Sequence, residues 1–173
     1  LGRAAVTLLR ARGIAVFATD LAQAAIPCGE PGFSAASLDV TDEAAIGACV
    51  AQALAEFGRI DHVVHLAGRA GHGPLDAVSR DDWNAVLDVN LTSAFLLAKA
   101  VHAALAQSRG TLTLISSTNA LNGGSPLSGP AYAVAKAGLI AQMVKGDFRR
   151  LPFGASEFSL VIATNCLQHG RLA

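Results

Sequence analysis

The chain has 173 residues, a length that supports one domain with a substantial core. Its 13 basic and 13 acidic residues balance, which argues against a nucleic-acid-binding surface, and its 52% hydrophobic content excludes a disordered chain. The longest stretch without a charged residue, 110–135, is crowded with Ser, Thr, Asn, Gly and Pro. We therefore expect no membrane contact and a small-molecule partner.

Helical and strand-like patterns alternate along the chain. They predict, in order, a helix at 3–10, strands at 14–19 and 33–39, a helix between its N-cap Thr41 and Gly58, a strand at 60–66, a helix at 80–107, a strand at 111–115, a helix at 132–150 and a last strand at 158–163. Helix-length crossovers between strands predict parallel pairing. The predicted fold class is α/β, a doubly wound parallel sheet with helices on both faces, forming one domain over residues 1–173.

The cysteines and histidines indicate neither a disulfide nor a metal site. Cys28, Cys49 and Cys166 are odd in number and lack metal-ligand spacing, which favours free thiols in a reducing compartment. His62 and His65 lie three apart on a strand and so face opposite ways. From the spacing of these residues we expect no metal. The first residues also lack a signal-peptide pattern, so we expect a soluble, cytoplasmic protein.

Polar and small residues occupy the predicted carboxyl ends of the strands, where open parallel sheets bind ligands. These ends carry Asp20, Asp39, Ala67-Gly68 and Ser116-Ser117, and the following helices carry Asn90 and Tyr132-Ala-Val-Ala-Lys136. In this order, from Gly2 to about Lys145, the landmarks resemble the classical short-chain dehydrogenase/reductase family. The resemblance implies a Rossmann-like sheet and hydride transfer between a nicotinamide dinucleotide and a secondary alcohol or ketone.

Tyr132 and Lys136 lie four residues apart, on one face of a helix. A free phenol has a pKa of about 10, and a nearby ammonium lowers the pKa because it stabilises the phenolate. The resemblance implies that Tyr132 is the general acid and base, and that Lys136 lowers its pKa and holds the nicotinamide ribose.

Two further residues complete the implied catalytic set. Ser117 matches the family serine that hydrogen-bonds the substrate oxygen, with Ser116 as the weaker candidate. Asn90 matches the asparagine that opens a helix backbone and holds a water that relays protons to the lysine. An ordinary strand-end serine and a buried asparagine with local partners are the alternatives.

Acidic residues at two strand ends are implied to bind the adenosine half of the cofactor. Asp20 would accept hydrogen bonds from the ribose and repel a 2′-phosphate, which favours NAD over NADP. Asp39 and Val40 match the segment that contacts the adenine, although helix capping is a competing role for Asp39.

Small residues are implied to let the backbone approach the cofactor. Gly2 matches the end of the family's glycine-rich phosphate loop, and Ala67-Gly68 matches the end of its Asn-Asn-Ala-Gly turn. His65 and Leu66 stand where that turn has its two asparagines.

The chain also departs from the family at both ends. The first strand and two loop glycines are missing, so the second and fourth strands of the family order must pair directly or leave a seam. Likeness fades after Lys145, so we expect weak or no turnover from a truncated enzyme. The alternative is a non-enzymatic fragment that acts in assembly through its two long helices; a dimer or tetramer is implied for the complete protein.

Overall fold

The computed structural model of the protein describes residues 1–21 and 31–145. The elements are α1 (Gly2–Ala11), β1 (Val16–Asp20), β2 (Phe33–Ser37), α2 (Glu43–Phe57), β3 (His62–His65), a 3₁₀ turn (Leu75–Ala77), α3 (Arg80–Leu87), a π turn (Asp88–Thr92), α4 (Ser93–Ser108), β4 (Thr111–Leu114), the single-turn α5 (Asn119–Asn122) and α6 (Gly129–Lys145). The predicted strand at 158–163 lies outside the described residues, as do Cys28 and Cys166.

The strands form two parallel pairs. In one pair β1 runs beside β2, with Val16 opposite Phe33. In the other, β3 runs beside β4, with His62 opposite Thr111. Within the described residues β1 and β3 do not pair with each other. The α/β class with parallel strands is therefore confirmed. Of the two outcomes left open for β1 and β3, direct pairing or a seam, the described residues show the seam.

Burial follows the two strand pairs. Ala18, Phe33 and Ala35 form one buried cluster on β1 and β2. The other joins α4, β4 and α6 through Ala94, Leu114 and Leu139. On β3, by contrast, Val64 is 46% exposed, although strands of parallel sheets are normally covered on both faces. The candidate site therefore lies in the half of the core that β3, β4, α4 and α6 form.

The start of α2 differs from the prediction. Its N-cap is Asp42, whose carboxylate accepts a hydrogen bond from the Ala45 amide at 3.0 Å, and not Thr41. Thr41 instead donates from its amide and its hydroxyl to Asp39 Oδ1, at 2.9 and 2.7 Å. The prediction was wrong because two acceptable capping residues stand side by side, and the Asp39 turn engages the first of them.

The predicted helix at 80–107 is present but interrupted. Ser79 caps its start by accepting from the Asp82 amide, and the π turn separates α3 from α4. By length and composition alone the 29 residues of Arg80–Ser108 resemble a membrane span. This evidence is weak, because a core helix passes the same test and this one buries the polar Asn90 and Ser93.

Candidate active site

Tyr132 and Lys136 lie on the same face of α6, beside the end of β4. Lys136 is only 5% exposed, and its Nζ donates to the Ile115 carbonyl at 2.7 Å. The same Nζ lies 5.5 Å from the centre of the Tyr132 ring, within cation–π range. Tyr132 itself is half-buried. The ammonium is therefore fixed by the strand end and held against the aromatic ring.

Asn90 lies in the π turn and is 1% exposed. Its Nδ2 donates to the carbonyl of Val86 at 2.9 Å, four residues earlier, and to that of Arg69 at 2.7 Å. The Arg69 amide donates back to Asn90 Oδ1 at 3.3 Å. The side chain thus occupies a helix carbonyl and clamps the loop after Gly68, which accounts for the local widening of the helix.

The two serines after β4 differ in their surroundings. Ser116 Oγ donates to the Lys136 carbonyl at 2.8 Å, so this hydroxyl ties the strand end to α6. Ser117 Oγ accepts a longer hydrogen bond from the Asn119 amide, at 3.3 Å. Both are buried. Because the Ser117 hydroxyl proton is not used in that bond, Ser117 has a donor to offer a ligand.

A buried histidine closes the far side of this cluster. His65 is 6% exposed, and its Nε2 lies 2.9 Å from Ser93 Oγ. Burial, together with the positive charge of Lys136, lowers the pKa of His65 to about 4. His62 on the same strand is exposed, so the two histidines face opposite ways, as predicted.

This histidine gives the fold a pH dependence of defined sign. The unfolded chain takes up a proton on His65 near the ordinary pKa of 6.5, whereas the folded chain does so only near 4. The stability is therefore complete above pH 6.5 and decreases as the pH falls toward 4. Between pH 7.5 and pH 5 we expect a loss of about 2 kcal/mol in urea unfolding. The loss should be absent in His65→Gln; an identical loss in that variant would contradict the assignment.

The loops after β3 and β4 are packed backbone to backbone. A Cβ built on Gly71 would lie 2.8 Å from the Ser128 carbonyl oxygen, and one on Gly129, whose φ is +67°, would lie 3.0 Å from the His72 amide nitrogen. Asn119 Nδ2 donates to Ser128 Oγ at 2.7 Å. Sequence analysis missed this contact because glycines and serines in loops carry no periodic signal. It fixes the loop that carries Ser117 against the loop clamped by Asn90.

Substitution of Gly71 tests this loop contact. Gly71→Ala forces the new methyl group onto backbone, so we expect a loss of about 1–3 kcal/mol in thermal unfolding. Gly138→Ala meets only the end of the Leu91 side chain, which can move, and should cost less. Gly47→Ala, where a Cβ in α2 meets nothing within 4 Å, should stabilise by about 0.5–1 kcal/mol. Equal effects at Gly71 and Gly138 would rule out the backbone contact.

The predicted adenosine-binding residues lie at the ends of β1 and β2. The side chain of Asp20 is exposed, and its carbonyl accepts from the Leu38 amide at 2.9 Å, which holds the two strand ends together. Asp39 is exposed and Val40 is half-buried. The two hydrogen bonds from Thr41 hold the pKa of Asp39 below its ordinary value. The helix-capping alternative for Asp39 is wrong, because Asp42 caps α2 and Asp39 instead braces the turn before that helix.

The small residues lie at the edge of the cluster. A Cβ on Gly2 would lie 3.9 Å from the Leu66 side chain, so the start of α1 reaches the end of β3. Gly68 is exposed, yet its Cβ would lie 3.1 Å from Asn90 Oδ1 and 3.9 Å from Lys136 Nζ. Ala67 is half-buried. A ligand crossing these residues meets bare backbone next to a buried ammonium.

The two ends of the candidate site offer different chemical groups to a ligand. The end near β4 offers a buried ammonium, a phenol and a hydroxyl, and the end near β1 offers an exposed carboxylate. Between them, the described residues offer the amides of the first turn of α1 to a pyrophosphate. His65 is a buried residue whose partner, Ser93, the sequence did not predict, although its place beside the Ala-Gly turn gave a signal.

Comparison with known proteins identifies the family. A family model described as enoyl-(acyl carrier protein) reductase matches residues 1–145. The chain is 35% identical over 145 residues to 3-oxoacyl-[acyl-carrier-protein] reductase FabG of Escherichia coli K12, covering 81% of this chain. A short-chain dehydrogenase from Streptomyces avermitilis superposes with a TM-score of 0.72 at 28% identity, over 84% of this chain and 54% of its own. The chain belongs to the short-chain dehydrogenase/reductase family, a family of oxidoreductases.

Other relatives extend the range of named activities. One is the (2S)-[(R)-hydroxy(phenyl)methyl]succinyl-CoA dehydrogenase subunit BbsD of Thauera aromatica, 35% identical over 59% of this chain and 40% of its own length. An apo SCOR enzyme from Clostridium thermocellum superposes with a TM-score of 0.75 at 26% identity, over 84% of this chain and 63% of its own. The chain spans 59% of the length of the E. coli relative.

Proposed function

We propose that the protein transfers a hydride between a nicotinamide dinucleotide and a secondary alcohol or ketone. The observation that carries the proposal is the pair on α6: a buried Lys136 ammonium held at the end of β4 and against the ring of Tyr132. Ser117 and Asn90 lie at the same end of the strand pair and complete the proposed catalytic set. The family assignment supports the same chemistry.

In the reduction direction, Tyr132 gives its phenolic proton to the carbonyl oxygen as the alcohol forms. Ser117 donates a hydrogen bond to that oxygen and so stabilises the charge that develops on it. The dinucleotide, when bound, supplies the hydride that the carbonyl carbon accepts. In the oxidation direction the same residues act in reverse, and Tyr132 takes up the hydroxyl proton.

Lys136 and Asn90 support this proton transfer. The Lys136 ammonium stabilises the phenolate that remains after the proton has left, and it holds the nicotinamide ribose. Asn90 lies in the widened π turn, and a water held beside it would return a proton through Lys136. Gly68 and Ala67 allow the cofactor to lie close to the backbone above this group.

We propose NAD as the preferred cofactor. Asp20 would accept both ribose hydroxyls at the end of β1 and repel a 2′-phosphate, with Asp39 and Val40 beside the adenine and Gly2 beside the pyrophosphate. Support comes from the exposure of the Asp20 carboxylate at a strand end that is fixed through Leu38.

Calorimetric titration with both cofactors tests this preference. NADH should bind at least about tenfold more tightly than NADPH. The reason is that the Asp20 carboxylate and the 2′-phosphate of NADPH would repel each other, with no positive charge between them. Asp20→Asn should bring the two affinities within about threefold, while Asp88→Asn, an exposed acid in the π turn, should leave the ratio unchanged. Tighter NADPH binding in the wild type would contradict the proposed preference.

The substrate is proposed only as a class. The E. coli relative is named for a 3-oxoacyl thioester and the Thauera relative for a hydroxyacyl-CoA, so acyl thioesters with an oxygen on the chain are the first compounds to test. When the protein is given NADH that carries deuterium at the transferred position, the deuterium should appear on the carbinol carbon of the product, as read by mass spectrometry. Tight dinucleotide binding without any transfer across ketones and thioesters would contradict the proposed reaction.

The remaining alternative is a non-enzymatic assembly module. Phe95 on α4 and Val134 on α6 are 53% and 47% exposed, which supports a dimer or tetramer formed through these helices. A homo-oligomer in the cytoplasm is our proposal for the enzyme as well, so oligomeric state does not separate the two. Dinucleotide binding does, because only the enzyme requires it.

A further inference from the structure

A hydrogen-bond chain connects the end of β3 to the π turn. Ser93 Oγ donates to the carbonyl of Val89 at 2.6 Å, so its single proton is used. The same oxygen can then only accept from His65 Nε2, 2.9 Å away. His65 therefore carries a proton on Nε2.

Ser93 replaces a helical backbone bond at this point. Its amide donates to the carbonyl of Asp88, five residues earlier, as a π turn requires. In an α-helix that amide would serve Val89, four residues earlier. Here the hydroxyl of Ser93 serves Val89 instead, and both Ser93 and Asn90 of the turn are buried. The serine thus satisfies the carbonyl that the widened turn leaves behind.

The widened turn in turn sets the position of Asn90. The Asn90 side chain bonds to Arg69 on the loop that follows β3. It also lies beside Gly68, which in turn lies close to Lys136 Nζ. His65, as the last residue of β3, fixes this turn from the strand side. Burial and the nearby ammonium of Lys136 keep the ring neutral at physiological pH, so the proton on Nε2 is the single proton of the ring.

We propose that His65 is a positioning residue, which through Ser93 sets the register of the π turn and so holds Asn90 against Gly68 and Lys136. The inference deepens the proposed function and rests on it for its effect on cofactor binding. The positional part stands on the contacts alone. The proposal gives a structural role to His65, which stands where the family turn has an asparagine.

Three variants separate this role from simple burial. His65→Gln keeps an N–H donor near the place of Nε2, His65→Leu fills the space without a donor, and Ser93→Ala removes the acceptor and the serine hydroxyl. His62→Leu is the matched control, since His62 lies on the same strand but is exposed and contacts Thr111 Oγ1.

The first readout is amide hydrogen exchange across residues 88–93. We expect exchange at least about tenfold faster in His65→Leu and Ser93→Ala, and wild-type exchange in His65→Gln and His62→Leu. Imidazole ¹⁵N spectra of the wild type should show His65 neutral with its proton on Nε2. Equal exchange in His65→Leu and His65→Gln, or a proton on Nδ1, would overturn the proposal.

The second readout is NADH affinity by calorimetry. It should weaken about fivefold in His65→Leu and return in His65→Gln, because one hydrogen bond to the turn is lost and restored. If the wild type binds NADH and the variants bind it equally, the positioning role fails alone. If the wild type binds no dinucleotide, the proposed function fails, and the exchange data still decide the role of His65.

Discussion

Tyr132→Phe should lower kcat by about 10²–10⁴-fold, the range that removal of a general acid produces. The phenylalanine keeps the ring that lies against the Lys136 ammonium, so the helix face and the site remain packed. Only the hydroxyl that exchanges the proton is lost. Because we expect weak turnover in the wild type, the readout is deuterium transfer from labelled NADH to the best substrate of the thioester and ketone panel, which accumulates over long incubations.

The controls for this variant isolate the chemical step. The NADH dissociation constant and the melting temperature should stay within about twofold and about 2 °C of the wild type, because Tyr132 is half-buried and its ring is preserved. A kcat within about threefold of the wild type would remove Tyr132 from the mechanism and leave the proton transfer without a donor.

Lys136→Met should weaken NADH binding about tenfold and lower kcat by about 10²-fold. Its Nζ donates to the Ile115 carbonyl and is buried, so methionine fills the space but supplies neither charge nor donor. The affinity falls because the proposed ribose contact is lost, and kcat falls because the phenolate loses its neighbouring cation. This double effect distinguishes Lys136 from Tyr132, whose removal should spare affinity.

Lys99→Met provides the matched control. Lys99 is bonded to Glu43 at 2.8 Å, but the side chains of that pair are 64% and 61% exposed, so its removal should change stability little and binding not at all. Unchanged NADH affinity in Lys136→Met, measured by the same titration, would contradict the ribose contact.

Much of this site follows from sequence pattern because parallel strands direct their carboxyl ends to one edge. Gly68 after β3 therefore lies close to Lys136 Nζ, which bonds the Ile115 carbonyl after β4, although 68 residues separate Gly68 from Lys136 along the chain. The i, i+4 spacing in the Tyr-x-x-x-Lys motif likewise fixes a shared helix face without tertiary information. The strand order of the fold likewise left two outcomes for β1 and β3, direct pairing or a seam, and the described residues show the seam.

Other features depend on contacts that pattern does not encode. The π turn leaves the apolar periodicity of the 80–108 helix nearly intact, and only the polar Asn90 and Ser93 within it give a hint. The choice of Asp42 over Thr41 as N-cap depends on which of them the Asp39 carboxylate engages. The packing of Gly71 on Ser128 arises between two loops distant in sequence, where neither propensity nor spacing gives a signal.

The central claim is that one phenol becomes a proton donor and acceptor because a fixed ammonium lies beside it. Tyr132 is the only tyrosine of the 173 residues, so ultraviolet phenolate absorbance, with Tyr132→Phe as the blank, reports its ionisation directly. With NAD bound, the absorbance should rise at a pH clearly below the free-phenol value of about 10, and Lys136→Met should move the rise back to that value or above. Identical titrations of wild type and Lys136→Met, both at about pH 10 or higher, would contradict the account.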